Sequence, residues 1–292
     1  MFSSPNYHLV REKVSTVFAN LNSTDAEMPT KALGLAVALF SGEHPGFEAC
    51  DTAFHDFDHT LEAGLALLEL IQAQRRKDLA LRLTPHQELL AFVAILFHDS
   101  GYIKRKGDLA GSGAKFSNTH VGRGVFIAWD LLDGSGLNSA DLRLVQNSIL
   151  ATATTAVPET LGFRSEAERF AAGLVATGDI LGQFAAEDYP VRLPGLYLEF
   201  REAALYSRLQ AGGPAAYQTL MDLFSATHDF CRSYIRSILD ENWGGLYHLL
   251  DEPNGRNRYM ERIETNLQWV QRMRSLLMRS ENQGRPDLRK LD

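Results

Sequence analysis

Apolar residues recur at helical spacing along almost the whole chain, in segments covering 7–21, 28–41, 58–76, 85–99, 120–133, 138–152, 165–187, 193–211, 214–239 and 257–280. Polar residues suited to capping stand at several of the starts. Thr84 precedes Pro85, Asn138 precedes Ser139, and Ser165 precedes Glu166. No run alternates with period two in β-branched residues, so no sheet is expected. The pattern predicts an all-α, multi-helix bundle, read as a single helical domain over 1–292 with a C-terminal helical extension over 206–292. The last segment carries Met260, Ile263, Leu267, Val270, Met273, Leu276 and Leu277 in one stripe. Such a stripe suits core or homodimer contact better than a membrane face. The tail from 282 onward reads as a frayed end.

Two stretches break the helical pattern. The first, 100–119, holds four glycines and the basic run Lys104, Arg105 and Lys106. It reads as a mobile surface loop, with a lid or substrate-binding loop as the functional alternative. The second, 153–164, contains Pro158.

Composition narrows the partners. The chain has 292 residues, 45% hydrophobic and 22% charged, with a net charge of -7. That charge argues against a long nucleic acid, whose phosphates it would repel. A small phosphorylated substrate fits if a metal supplies local positive charge. The two cysteines, Cys50 and Cys231, are too few for a disulfide framework or a thiolate zinc site, and fit buried residues in a cytoplasmic protein. No apolar run approaches the length of a membrane span, and the N-terminus lacks a secretory pattern.

The chemistry concentrates in three places. The apolar run Leu89 to Phe97 ends in His98-Asp99, which sets two ionisable groups at the edge of a core, where a metal ion could compensate them. The segment His55-Asp56-Phe57-Asp58-His59 spaces two histidines four apart, so one can bind a metal while the other reaches a substrate over it. Asp51, Asp56 and Asp58 add negative charge nearby, and Asp58 reads equally as a capping or dipole-favoured acid at a helix start. Asp179 lies on a helix face of Ala172, Val175, Ala176, Gly182, Gln183 and Ala186, where a carboxylate needs a partner. Two imidazoles and two carboxylates, His59, His98, Asp99 and Asp179, suit Zn, Fe, Mn, Co or Ni, and the carboxylates can share a second ion such as Mg or Mn. His120 reads either as a second-metal or substrate ligand or as a surface histidine. His86, after Pro85, reads as a solvated first-turn residue. Lys104, Arg105, Lys106 and Arg201 are candidates for substrate phosphate, and Glu199 and Tyr189 are weaker candidates for supporting the site.

The ordered set resembles the HD superfamily of metal-dependent phosphohydrolases, over about residues 50–205. Phe54 to His59 looks like the Tyr-His-Asn-x-x-His segment of cyclic-nucleotide phosphodiesterases, and Phe97-His98-Asp99 like the superfamily's doublet. Ile149 to Thr152 resembles a helix segment lining the same site, and Ala176 to Asp179 the final ligand segment. The resemblance implies an HD/phosphodiesterase-like bundle in which His59 is a ligand, His55 donates a proton to the leaving oxygen and Asp99 bridges two metals. The chain departs from the phosphodiesterases where Ser100-Gly101-Tyr102 replaces a histidine and where Arg201-Glu202 follows Glu199-Phe200. The segment Gly182 to Tyr189 is more similar to bacterial stand-alone HD proteins. The activity expected is hydrolysis of a phosphate ester in a nucleotide or related small molecule. The alternatives are an HD-type di-iron oxygenase, which needs more histidines, and a non-catalytic metal or nucleotide sensor.

Overall fold

The computed structural model describes residues 4–23, 25–209 and 217–282. Among them lie ten α-helices and no strand. They are α1 (Pro5–Val17), α2 (Met28–Phe40), α3 (Phe57–Arg76), α4 (Pro85–Phe97), α5 (His120–Leu132), α6 (Ser139–Leu150), α7 (Glu166–Ala185), α8 (Tyr189–Leu209), α9 (Leu220–Asp229) and α10 (Arg258–Asn282). The tail expected to fray lies outside the described residues, apart from Asn282.

Helix α4 forms the axis. Every residue from Glu88 to Phe97 is buried, because α2, α3, α6 and α7 pack around it. An unbroken apolar run is the sequence of a helix surrounded on all sides. Its one buried charge, Glu88, is met by Gln74 and Arg75 from α3. The start of α4 is a reciprocal capping box between Thr84 and Gln87, and α6 starts on a second between Asn138 and Asp141. Each cap is worth about 1 kcal/mol. Ser165 caps α7 by accepting from the Glu168 amide.

The most extensive pairing is α3 against α7. Gly178 and Gly182, one turn apart on α7, lie against the α3 backbone. A Cβ on Gly182 would stand 2.5 Å from Ala63 Cα, so only glycine allows the helices this close. Asp179 sits between these glycines and is thereby brought to the first turn of α3.

Three elements differ from expectation. Helix α8 starts at Tyr189, ahead of the expected 193, and runs through Pro194. The span 214–239 is not one helix. Among its described residues α9 starts on a capping box between Thr219 and Asp222, then widens into π turns over Phe230–Ile235 and Ile238–Asn242. A short 3-10 turn, Leu246–Leu250, follows. The stretch 100–119 is largely built into the protein. It forms 3-10 turns at Ser100–Tyr102 and Gly113–Phe116, and residues 100–104 are buried. Residues 46–48 and 104–106 pair through an isolated antiparallel bridge between Phe47 and Arg105.

Candidate metal centre

The first turn of α3, the end of α4 and the middle of α7 converge on one point. Asp56 caps α3 by accepting from the His59 amide at 2.9 Å, and this fixes His59 in the first turn. Asp58, expected as a capping or dipole-favoured acid, is the latter, a first-turn acid that accepts from the Ser4 hydroxyl. Helix α4 stops at His98. Asp99 follows in a 3-10 turn held by the Tyr102 amide on the Asp99 carbonyl at 3.0 Å.

His59 Nε2 and His98 Nε2 lie 3.4 Å apart. Each is 3.3 Å from Asp99 Oδ2 and 3.3 Å from Asp179 Oδ1. His59, His98 and Asp99 form a buried group that can hold a metal ion, with one donor atom from each lying within 4.8 Å of the others. Asp179 joins it through its contacts with both imidazoles. Adjacent donors around an ion bound at about 2.0–2.2 Å are themselves roughly 3–3.5 Å apart, so this spacing fits a transition metal.

Two further observations support the fit. Asp99 Oδ2 and Asp179 Oδ1 are buried oxygens with no hydrogen-bond partner. Carboxylate oxygens left this way are costly unless a cation faces them. In addition, His98 donates Nδ1–H to the Ile95 carbonyl at 2.8 Å, which leaves the Nε2 lone pair for the cluster. The cluster holds two negative charges and needs positive charge among its atoms. Burial opposes an imidazolium at His59, but Asp179 and Asp99 outweigh it and bring the group up to about 9. They likewise hold His98 well above the usual imidazole range, and the imidazoles outweigh burial to keep Asp99 and Asp179 well below theirs.

His120 stands beside this group. It donates Nδ1–H to the Ser117 carbonyl at 2.6 Å, and its Nε2 lies 3.7 Å from Asp99 Oδ1, the second oxygen of that carboxylate. Burial pushes His120 below the usual imidazole range, which favours the neutral ring that a ligand needs. Gly101 makes the approach of α5 possible, because a Cβ there would strike the His120 carbonyl and stand 2.7 Å from the Gly124 nitrogen.

His55 lies at the rim. Its Nδ1–H donates to Glu199 Oε2 at 2.5 Å, and its ring stacks on Tyr102 with centroids 4.6 Å apart. Tyr102 stacks in turn on His120 at 4.4 Å. Glu199 also accepts the Phe54 and His55 amides at 2.6 and 3.2 Å. Burial pushes its carboxyl up, but His55 and these amides outweigh it and hold it below the ordinary range. One face of α8 thus clamps the 52–56 turn, since Arg192 donates to the Phe54 carbonyl and to Asp56. Arg192 escaped the sequence reading. Its only signal there is the seven-residue, two-turn spacing from Glu199.

The remaining candidates fall elsewhere. Lys104 pairs with Asp51 at 2.7 Å, Arg105 covers the Phe47 ring and Lys106 pairs with Glu48 at 3.0 Å. Arg201 is exposed over Tyr197. None of the four lines the cavity above the cluster. Asp51 and Asp56 are likewise taken up, by Lys104 and Arg192. His86 is not simply solvated, because it bridges Asp25 and Asp141 at 2.9 Å each. Cys231 is buried and Cys50 half-buried, both as free thiols. Thr152, at the end of the expected lining segment, does line the cavity, whereas Ile149 and Ala151 belong to the core. Among the described residues no helix is long and apolar enough to cross a membrane.

No protein-family model and no curated protein matches the chain.

Proposed function

We propose that the chain is a metal-dependent phosphohydrolase that cleaves a phosphate ester of a small molecule. The observation that carries this reading is the pair of buried, unpartnered oxygens, Asp99 Oδ2 and Asp179 Oδ1, each 3.3 Å from two imidazole nitrogens at the floor of a cavity. His59, His98, Asp99 and Asp179 would hold a divalent ion, with Zn, Fe, Mn, Co and Ni all suited to the donor set. Asp99 Oδ1 and His120 Nε2 offer donors to a second ion such as Mg or Mn. The ion supplies Lewis acidity, which lowers the pKa of water and draws charge from a phosphoryl oxygen.

The chain's own groups then have distinct tasks. His55 lines the cavity with Nδ1 tied to Glu199, which leaves Nε2 to deliver a proton to a departing oxygen. Glu199 and Tyr102 fix the ring's tautomer and tilt. Asp99 offers one oxygen to the buried cluster and the other to the cavity side, where His120 lies.

The test is turnover of bis(4-nitrophenyl) phosphate and a panel of nucleoside phosphates by protein loaded with Mn, Zn or Fe. Asp99→Ala is expected to lose both metal and turnover. His55→Ala is expected to keep its metal and lose about 10²–10⁴-fold in rate. Stoichiometric metal without hydrolysis of any member of the panel would sink the reading.

A further inference from the structure

The cavity above the metal centre has a volume of about 510 Å³, within the range of small-molecule sites. One stripe of α8, Leu196, Phe200, Ala203 and Ala204, forms an apolar wall, and Phe184 from α7 and Leu223 from α9 extend it. The neighbouring stripe of α8 carries Arg192 and Glu199, which hold the turn bearing His55. The same helix therefore shapes the wall and positions the polar rim. Helix α9 widens into a π turn at Phe230, and Phe230 and Thr227 also line the cavity. Such widenings are frequent at functional sites.

The charges are as informative as the shape. Among the described side chains no Lys or Arg lines the cavity. A single divalent ion would have its two charges matched by Asp99 and Asp179, and Glu199 is spent on the His55 ring and on the Phe54 and His55 amides. With the centre singly occupied, no positive charge among the described side chains remains for the further charges of a di- or triphosphate, and the chain as a whole carries -7. A large apolar wall that offered its area to a solvated polyphosphate would gain little from it.

We infer that the site takes a phosphodiester with a single negative charge and a bulky apolar or aryl body, and discriminates against nucleoside di- and triphosphates. This rests on the metal-centre reading above, and binding rather than turnover separates the two. The full chain, loaded with Mn or Zn, is titrated calorimetrically with three probes. Dimethylphosphinate presents the head group alone. Diphenylphosphinate adds the apolar body. Adenosine 5′-(β,γ-methylene)triphosphate adds charge.

Diphenylphosphinate is expected to bind at least about tenfold more tightly than dimethylphosphinate, with the triphosphate analogue weakest. Phe200→Ala is expected to lower diphenylphosphinate affinity about tenfold, with its fold checked by circular dichroism. Ser207→Lys, which places a cation on the cavity lining, is expected to raise affinity for the triphosphate analogue and serves as a second variant outside the apolar wall. Equal binding of the two phosphinates, tightest binding of the triphosphate analogue, or failure of all three to bind would each overturn the inference. The expected order of binding without hydrolysis of any diester would keep this inference and remove the hydrolase reading. Hydrolysis of nucleoside triphosphates with no preference for apolar diesters would do the reverse.

Discussion

Among the described residues histidine meets two aspartates at two places, and the two arrangements differ in almost every physical respect. At His86 each ring nitrogen faces its own carboxylate, Asp25 on one side and Asp141 on the other, both at 2.9 Å. That geometry is complete once the ring is protonated, so the imidazolium is itself the cation. Each carboxylate has other donors, from Asn22 and from the Asn138 amide. At the buried cluster the spacing is 3.3 Å, two imidazole nitrogens face the same pair of oxygens, and those oxygens have no hydrogen-bond partner. Residue types do not distinguish a surface ion pair from a metal centre. The distinction lies in which nitrogen is already spent, which oxygens are left over and how far water is excluded.

Removing one donor should break the comparison most sharply. Asp179→Ala or His98→Ala is expected to reduce metal content measured by elemental analysis from stoichiometric to background. The affinity loss should exceed about 100-fold, since outer partners of a metal site alone are worth about 10–100-fold. His86→Ala is expected to leave metal content untouched. Equal metal in wild type and Asp179→Ala would mean that the four side chains are a structural polar cluster. A smaller effect is expected from Gly182→Ala. The new Cβ would push α7 away from Ala63 on α3 and carry Asp179 with it. A loss of about 3 kcal/mol in denaturant unfolding is expected, together with weaker metal binding.

The candidate metal centre was more legible in the sequence than the cavity above it, for physical reasons. Leu89 to Phe97 can only be a surrounded helix, so His98 and Asp99 at its end stand out as an anomaly that needs compensation. Asp179 stands out on its small apolar face, and the same small residues allow the contact with α3. The cavity wall gives no such signal. Leu196, Phe200, Ala203 and Ala204 have the spacing of core residues, and nothing in the chain shows that they face a void. That Lys104, Arg105 and Lys106 stand away from the cavity was not legible, because their pairing with residues 46–48 is a non-local contact. The His86 bridge was hidden in the same way, with partners 61 and 55 residues distant.

Glu62 sharpens the comparison from another direction. Its Oε2 is also buried and makes no hydrogen bond among the described residues, yet what faces it is the Arg192 guanidinium at 3.5 Å. Burial, with Asp188 nearby, pushes its carboxyl up to about 7 against the pull of Arg192. Near neutral pH a proton therefore competes with Arg192 for this oxygen. An acid with a raised folded pKa costs nothing below its unfolded value and costs progressively more as pH rises through the folded value. Glu62→Gln is therefore expected to stabilise the protein by about 1–2 kcal/mol at pH 8 and to change little at pH 4, as read by urea unfolding. A variant less stable at pH 8 than wild type would show that Arg192 depends on the Glu62 charge.

The smallest effect is expected at His86, where the ring is half-buried and water screens the pair. Burial disfavours its charge, but Asp141 and Asp25 outweigh it and raise the group above the usual imidazole value. A base with a raised folded pKa contributes its full stability below the unfolded pKa and loses it as pH climbs through the folded one. His86→Gln is thus expected to lower the melting temperature most at pH 6, with the gap to wild type narrowing as pH rises toward 9. The bridge joins the loop before α2 to the starts of α4 and α6, all remote from the buried cluster, so metal content should not follow this titration. A gap independent of pH would mean that the bridge is held by a neutral ring, and His86 would then differ from the metal centre in position alone rather than in the source of its positive charge.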